Sequence, residues 1–221
     1  MTDSSAAAGA QTSGLYYPNR FARALLNAMG EVMGEHGLSA TLELADLSAL
    51  NDHFPEDNLA REFDFAALAR LNAALDELYG SRGGRGMALR AGRAWFARGM
   101  TSFGALTGVN DPAFRALPPE TRCRIVLGAL AEIFSRFSDQ RSWVDETETA
   151  FHFHAEPSPT AWGQQADRPI CHLLVGLLQE AMRWASNGRE YTVRETHCAA
   201  VSGQAANTSC QFVINKQPIS G

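Results

Sequence analysis

The sequence predicts an α+β fold in which an antiparallel sheet packs against several helices. Three observations predict it. Apolar residues recur at helical spacing from Pro18 to Phe137. From Trp143 the period falls to two, and after one more helical stretch two strand-like segments follow. Three of the four cysteines sit in the last quarter, one at a helix start and two flanking a hairpin.

The elements follow in order. Residues 1 to 14 are small and polar and read as a disordered tail, and residues 15–221 as one domain. Pro18 suits a first helical turn. Phe21, Leu25, Ala28, Met29 and Val32 then share a helix face, with Gly37 as the stop. A second helix is expected over Thr41 to Leu50. Asp64 reads as the N-cap of a third, with Leu68, Leu71, Leu75 and Leu78 on one face and Gly80 at its end. The glycine-rich run Gly80-Ser81-Arg82-Gly83-Gly84-Arg85-Gly86 feeds another helix. It is either an anion cradle or a flexible loop, and it lacks both the Lys-Ser/Thr of a P-loop and a preceding strand.

A long helix starts at Pro118-Pro119-Glu120, with Cys123, Val126, Leu130, Ile133 and Phe137 inward. Cys123 reads there as a small core hydrophobe. In the strand that follows, Phe151 and Phe153 face inward while His152 and His154 face out. Pro157-Ser158-Pro159 ends it. Asp167 is expected to cap the next helix, with Pro169 in its first turn. Its stripe is Cys171, Leu174, Val175, Leu178, Met182 and Ala185, and Asn187-Gly188 stops it. The last hairpin spans Tyr191 to Ala200 and Ser209 to Ile214, with Gly203 and Asn207 in its loop.

Composition narrows the function classes. Of 221 residues, 45 % are hydrophobic and 19 % charged, which suits a sizeable core. A formal net charge of −5 argues against a nucleic-acid footprint. No apolar run is long enough to span a bilayer. The N-terminus has neither the basic nor the apolar region of a signal peptide, so a cytoplasmic location is expected. In that compartment clustered thiols are more often metal-bound or redox-active than disulfide-bonded.

Cys171, Cys198 and Cys210, with Glu195 three residues before Cys198, could converge as a four-coordinate zinc site. In a strict strand Glu195 and Cys198 point to opposite faces. The strand must therefore bulge or end between them, or His197 must replace Glu195. A buried, reduced cysteine cluster is the other reading, and a Cys198–Cys210 disulfide a third.

At Asp167-Arg168-Pro169-Ile170-Cys171, Glu195-Thr196-His197-Cys198 and Cys210-Gln211-Phe212-Val213-Ile214 the chain resembles the vinyl-4-reductase domain family. Gly84 to Phe96 also fits, and the resemblance covers residues 80–215. That family shares a fold group with the vesicle-tethering TRAPP subunits of Golgi transport and the haem nitric-oxide-binding sensor domains. Locally the chain resembles the phenol- and toluene-sensing domains of bacterial NtrC-type activators. The resemblance implies a structural zinc held by Cys171, Glu195, Cys198 and Cys210. One departure is a longer stretch between Cys198 and Cys210.

The resemblance further implies binding of an apolar or aromatic small molecule, as a carrier or as a sensor with a signalling partner. Trp95, Phe96, Met100, Phe103, Phe134, Phe151, Phe153, Trp162 and Trp184 are the candidate lining residues. The family name raises an alternative, an oxidoreductase acting on the vinyl group of a tetrapyrrole. The chain shows no dinucleotide fingerprint, flavin motif or nucleophile–base pair to support it. An assembly or tethering module is a third reading. A homodimer is expected, with the apolar helix Pro18–Gly37 at its interface.

Overall fold

The computed structural model describes residues 12–103, 111–201 and 209–219. The architecture is α+β, as the patterning predicts. Short strands β1 (Tyr16–Pro18) and β2 (Arg61–Asp64) pair antiparallel at the base of two long helices, α1 (Asn19–Leu44) and α2 (Phe65–Phe103). A short α3 (Pro112–Ala116) precedes α4 (Pro119–Phe137). The strands β3 (Arg141–Glu146), β4 (Ala150–Glu156), β5 (Tyr191–His197) and β6 (Cys210–Pro218) form one antiparallel sheet in the order β3-β4-β6-β5. Helix α5 (His172–Ala185) connects β4 to β5.

Several boundaries differ from the sequence reading. Helix α1 does not stop at Gly37 but kinks at Gly34 (φ 76°, ψ 169°) and runs to Leu44. Thr41 therefore lies inside α1, and only a 3-10 turn at Ser48–Asn51 follows. Gly80 likewise kinks α2 (φ 68°, ψ 164°) instead of ending it, and the glycine-rich run beyond it is helical. Those glycines allow close packing. A Cβ on Gly84 would lie 2.6 Å from the Leu75 carbonyl oxygen. Across the α2–α5 crossing, a Cβ on Gly92 would lie 2.0 Å from the Leu173 oxygen, and one on Gly176 2.1 Å from the Leu89 oxygen. Two backbones meet there with no room for a side chain.

The N-cap at Asp64 holds: its Oδ1 accepts from the Ala66 N–H at 2.7 Å. The same carboxylate accepts from the Ser13 N–H, the Ser13 hydroxyl and the Gly14 N–H. Residues 1–11 of the expected tail, and the Gly203–Asn207 loop, lie outside the described residues.

The stretch from Trp143 is not one strand but a hairpin, β3 and β4, with Val144 opposite Phe153. Phe151 and Phe153 are buried, and so are their β6 partners Ile214 and Phe212. His154, on the other face, stacks on Trp143 with ring centroids 4.6 Å apart. Asp167 does not cap α5, because the chain stays non-helical through Ile170 and Cys171 occupies the N-cap position. Asn187 and Gly188 do end it, both at positive φ, and the Gly188 N–H bonds back to the Arg183 carbonyl.

Helix α5 is buried over most of its surface, Leu173, Leu177 and Ala181 included, because α2 covers one side while α4 and the sheet cover the others. The apolar stripe of α1 is likewise used within the chain. Phe21, Leu25, Leu26 and Met29 are buried in the common core, so that stripe does not present a dimer face. Among the described residues no helix is long and apolar enough to cross a membrane.

Candidate metal centre and apolar pocket

Three elements carry the cysteines to one point. Cys171 opens α5, Cys210 opens β6 beside Ala155, and Cys198 follows the end of β5. The conflict between Glu195 and Cys198 is resolved by a register shift in the β5–β6 pairing. Glu195 lies opposite Phe212 and His197 opposite Gln211, so Thr196 is the extra residue of a bulge. The bulge turns Glu195 to the same side as Cys198. Donor atoms of Cys171, Glu195, Cys198 and Cys210 all lie within 4.8 Å of one another. His197 does not replace Glu195 in this group.

All four cysteines are free and buried. The Cys171 and Cys210 sulfurs are 3.5 Å apart. Sulfurs bound to one tetrahedral zinc at the usual bond length sit about 3.8 Å apart. The Cys171 N–H donates to Glu195 Oε2 at 2.8 Å and fixes the carboxylate. The Ala199 N–H donates to the Cys210 sulfur at 3.3 Å, and the Ser158 hydroxyl lies 3.5 Å from the Cys171 sulfur. Glu195 Oε1 is buried and has no hydrogen-bond partner.

The electrostatics of the protein groups alone are unfavourable for four anions. Burial pushes the Cys171 thiol well up, and hydrogen bonds to Cys198 and Cys210 add to this. Burial, then the adjacent Cys198 charge, lifts the Glu195 carboxyl to about 8. Cys198 is held far below the usual thiol range by hydrogen bonds from Cys171 and Cys210. Burial and mutual repulsion thus work against charging all four groups at once. A dication would reverse this balance, and the orphaned Glu195 oxygen is where it would gain a ligand. Three sulfurs and one carboxylate match zinc, and four protein ligands leave no open position for a catalytic water.

A second feature lies among the helices. A pocket of about 50 Å³ opens between α1, α2, α4 and α5, lined among the described residues by apolar side chains and Gly99. Of the nine candidates, Trp95, Phe96, Met100 and Phe134 line it, together with Phe21, Leu130, Ile133 and Leu177. Phe21, Leu130 and Ile133 read in the sequence as ordinary core stripes, and Leu177 falls outside the stripe read for α5. The other aromatic candidates lie elsewhere. Phe151 and Phe153 are on the inner face of the sheet, and Trp162 is half-buried after β4. Trp184, 37 % exposed, stacks on Phe114 with centroids 5.8 Å apart. Phe103 ends α2, and its side chain is outside the described set.

No family model matches the sequence, and no curated protein matches it significantly. Solved structures do match. A doubly substituted Tt H-NOX protein superposes with a TM-score of 0.57 at 13 % identity, covering 92 % of this chain and 97 % of that one. The Fe(II) unliganded H-NOX protein from K. algicida gives 0.54 at 12 % identity, with the same coverage. The fold is that of the H-NOX domains. The phenol-responsive sensory domain of PoxR aligns over 67 % of this chain and 73 % of its own, at 20 % identity and a TM-score of 0.45, too loosely to bear on the fold.

One H-NOX structure is described by the function of heme distortion in the family. A haem does not fit this H-NOX-like chain. The inter-helix space is about 50 Å³, against the several hundred that a ligand pocket for a large planar molecule requires. Among the described residues the lining offers no His, Cys or Tyr as an axial ligand, and Met100 is the one sulfur. Among the described residues, the group able to hold a metal ion is instead at the start of α5, in the cysteine cluster.

Proposed function

We propose that this protein is a small-molecule-binding domain, a sensor or carrier, that takes an apolar or aromatic compound between α1, α2, α4 and α5. The observation that carries this reading is the wholly apolar pocket, built on an H-NOX-like fold whose inter-helix space is too small for haem. A cavity that holds one benzene ring measures about 150 Å³, so entry of a ring requires side chains to move. Met100, unbranched and half-buried at the rim, is suited to do so. The resemblance to phenol-sensing domains of the vinyl-4-reductase family supports the same ligand class. A chlorin would enter only if the helices parted, so the vinyl-reductase alternative gains no support from the pocket.

The metal's part in this reading is structural. One zinc held by Cys171, Glu195, Cys198 and Cys210 would pin the start of α5 to the ends of β5 and β6. Helix α5 supplies Leu177 to the pocket, so the metal would hold one wall in place. Four protein ligands would leave the zinc no open position for water or substrate, which favours binding over turnover. A thermal-shift screen of phenols, fatty acids and chlorins tests the reading, because a ligand of the folded state raises the midpoint by mass action. Stabilisation by compounds of about one ring is expected. Turnover of a divinyl chlorin with NADPH, with no stabilisation by the smaller compounds, would replace the reading with a reductase.

A further inference from the structure

A second cleft lies on the other side of α5 from the apolar pocket, with a volume of about 460 Å³. Its walls are α2 just past the Gly80 kink, the turn before α5, and β5. Four guanidiniums face it: Arg82 and Arg85, three residues apart on α2, Arg168 before α5, and Arg194 on β5. His172, the first residue of α5, joins them. In a chain of net charge −5 this is a local concentration of positive charge. Among the described residues none of these four arginines has an acidic partner within ion-pair distance, although Arg20, Arg61, Arg93, Arg98, Arg124, Arg141 and Arg183 each do. Glu195 is the one acidic side chain in the wall, and it is directed to the cysteine cluster. Val175 and Val193 give the cleft an apolar floor. The N-terminus of the 14-residue helix α5 adds its positive dipole end.

We propose that this cleft binds a small organic anion carrying a phosphate or carboxylate group. Arginine suits both groups, because its planar fork donates two parallel hydrogen bonds to a pair of oxygens. The cleft has room for more than a bare ion, and its valine floor can take the carbon part of such a ligand. The glycine-rich run of α2 has a place in this site. It keeps the helix slim where Arg82 and Arg85 project, and it does so as a helix, not as a phosphate-cradling loop. The site stands independently of the apolar pocket, since α5 separates the two.

A competing role for the arginines is to offset the charge of the metal centre, since a dication with three thiolates and a carboxylate carries a net negative charge. The test separates the two. Full-length protein is titrated calorimetrically at low salt with inorganic phosphate, pyrophosphate and citrate, in parallel with Arg85→Ala and Arg168→Ala. Zinc content and the thermal midpoint are measured on every sample. Saturable one-to-one binding of pyrophosphate or citrate with Kd below about 1 mM is expected, weakened about tenfold or more in each variant, with zinc content and midpoint unchanged. The stronger of the two ligands tells whether phosphate or carboxylate is the natural head group. No saturable binding of any of the three, equal binding by the variants, or variants that lose zinc without a change in anion binding would each overturn the proposal.

Discussion

The crossing of α2 and α5 holds both candidate sites in place, and Gly176→Ala tests it. The added methyl would sit 2.1 Å from the Leu89 carbonyl oxygen, 2.8 Å from its carbon and 2.9 Å from its Cα. An ordinary contact begins near 3.4 Å, so the shortfall is about 1.3 Å against rigid backbone. No flexible side chain can yield, and the helices must separate. Overpacking of this kind costs about 3 kcal/mol, while replacing glycine by alanine inside a helix returns about 1 kcal/mol. The net expectation is a loss of about 2 kcal/mol, or a fall of about 4–8 °C in the thermal midpoint for a domain of this size. Gly128→Ala is the control. It lies in α4 with nothing within 4 Å of the added carbon, so only the propensity gain of up to about 1 kcal/mol applies. Urea unfolding of the two variants beside the parent protein measures both. If Gly176→Ala is as stable as Gly128→Ala, the close backbone approach described here is wrong.

Other outcomes follow from the sites and caps. Chelation, or Cys210→Ala, is expected to remove one zinc per chain and lower the midpoint by about 10 °C or more, because the energy of a structural zinc is folding energy. Protein purified without chelator and found free of zinc would contradict this. Partial burial pushes the Asp64 carboxyl up, but hydrogen bonds from the Ser13 hydroxyl and from the Ser13, Ala66 and Gly14 amides hold it below its usual value. A depressed folded pKa contributes stability above the unfolded value of 3.8, lost as pH falls through the folded one. Asp64→Ala should therefore cost about 1 kcal/mol or more at pH 7, as a lost N-cap does, and the difference should shrink toward pH 2. A pH-independent difference in denaturant unfolding would show that ionised Asp64 is not the group responsible.

Much of the cysteine site was legible in the sequence, because spacing and residue type survive folding. Cys171, Cys198 and Cys210 could be grouped from their spacing with Glu195 or His197 as the fourth member, and the family resemblance favoured Glu195. The Thr196 bulge that lets Glu195 join them could be stated only as a requirement. The glycines misled in two ways. Gly37 and Gly80 look like helix stops, but tertiary packing continues the chain as helix, and the kink falls at Gly34 in one case. The run Gly83 to Gly86 reads as a loop by propensity, yet Gly84 is needed where the Leu75 carbonyl comes close. Strands β1 and β2, of three and four residues, are too short to show a period. The β3–β4 turn is hidden in Glu146-Thr147-Glu148-Thr149, which has no glycine or proline to mark it. Around the apolar pocket, aromatic residues attract notice in the sequence, whereas Leu130 and Ile133 look like any core stripe and Leu177 lies off the stripe read for α5.

An apolar ligand is expected to lodge beside Met100. Methyl NMR of protein labelled at methionine, leucine and isoleucine, titrated with phenol, observes that place directly. Saturable shifts are expected at Met100, Leu130, Ile133 and Leu177, and none at Leu42, about five turns along α1 from the lining residue Ala24. Phenol that leaves the Met100 and Ile133 methyls unmoved up to saturation, or that shifts only methyls outside this group, would contradict it.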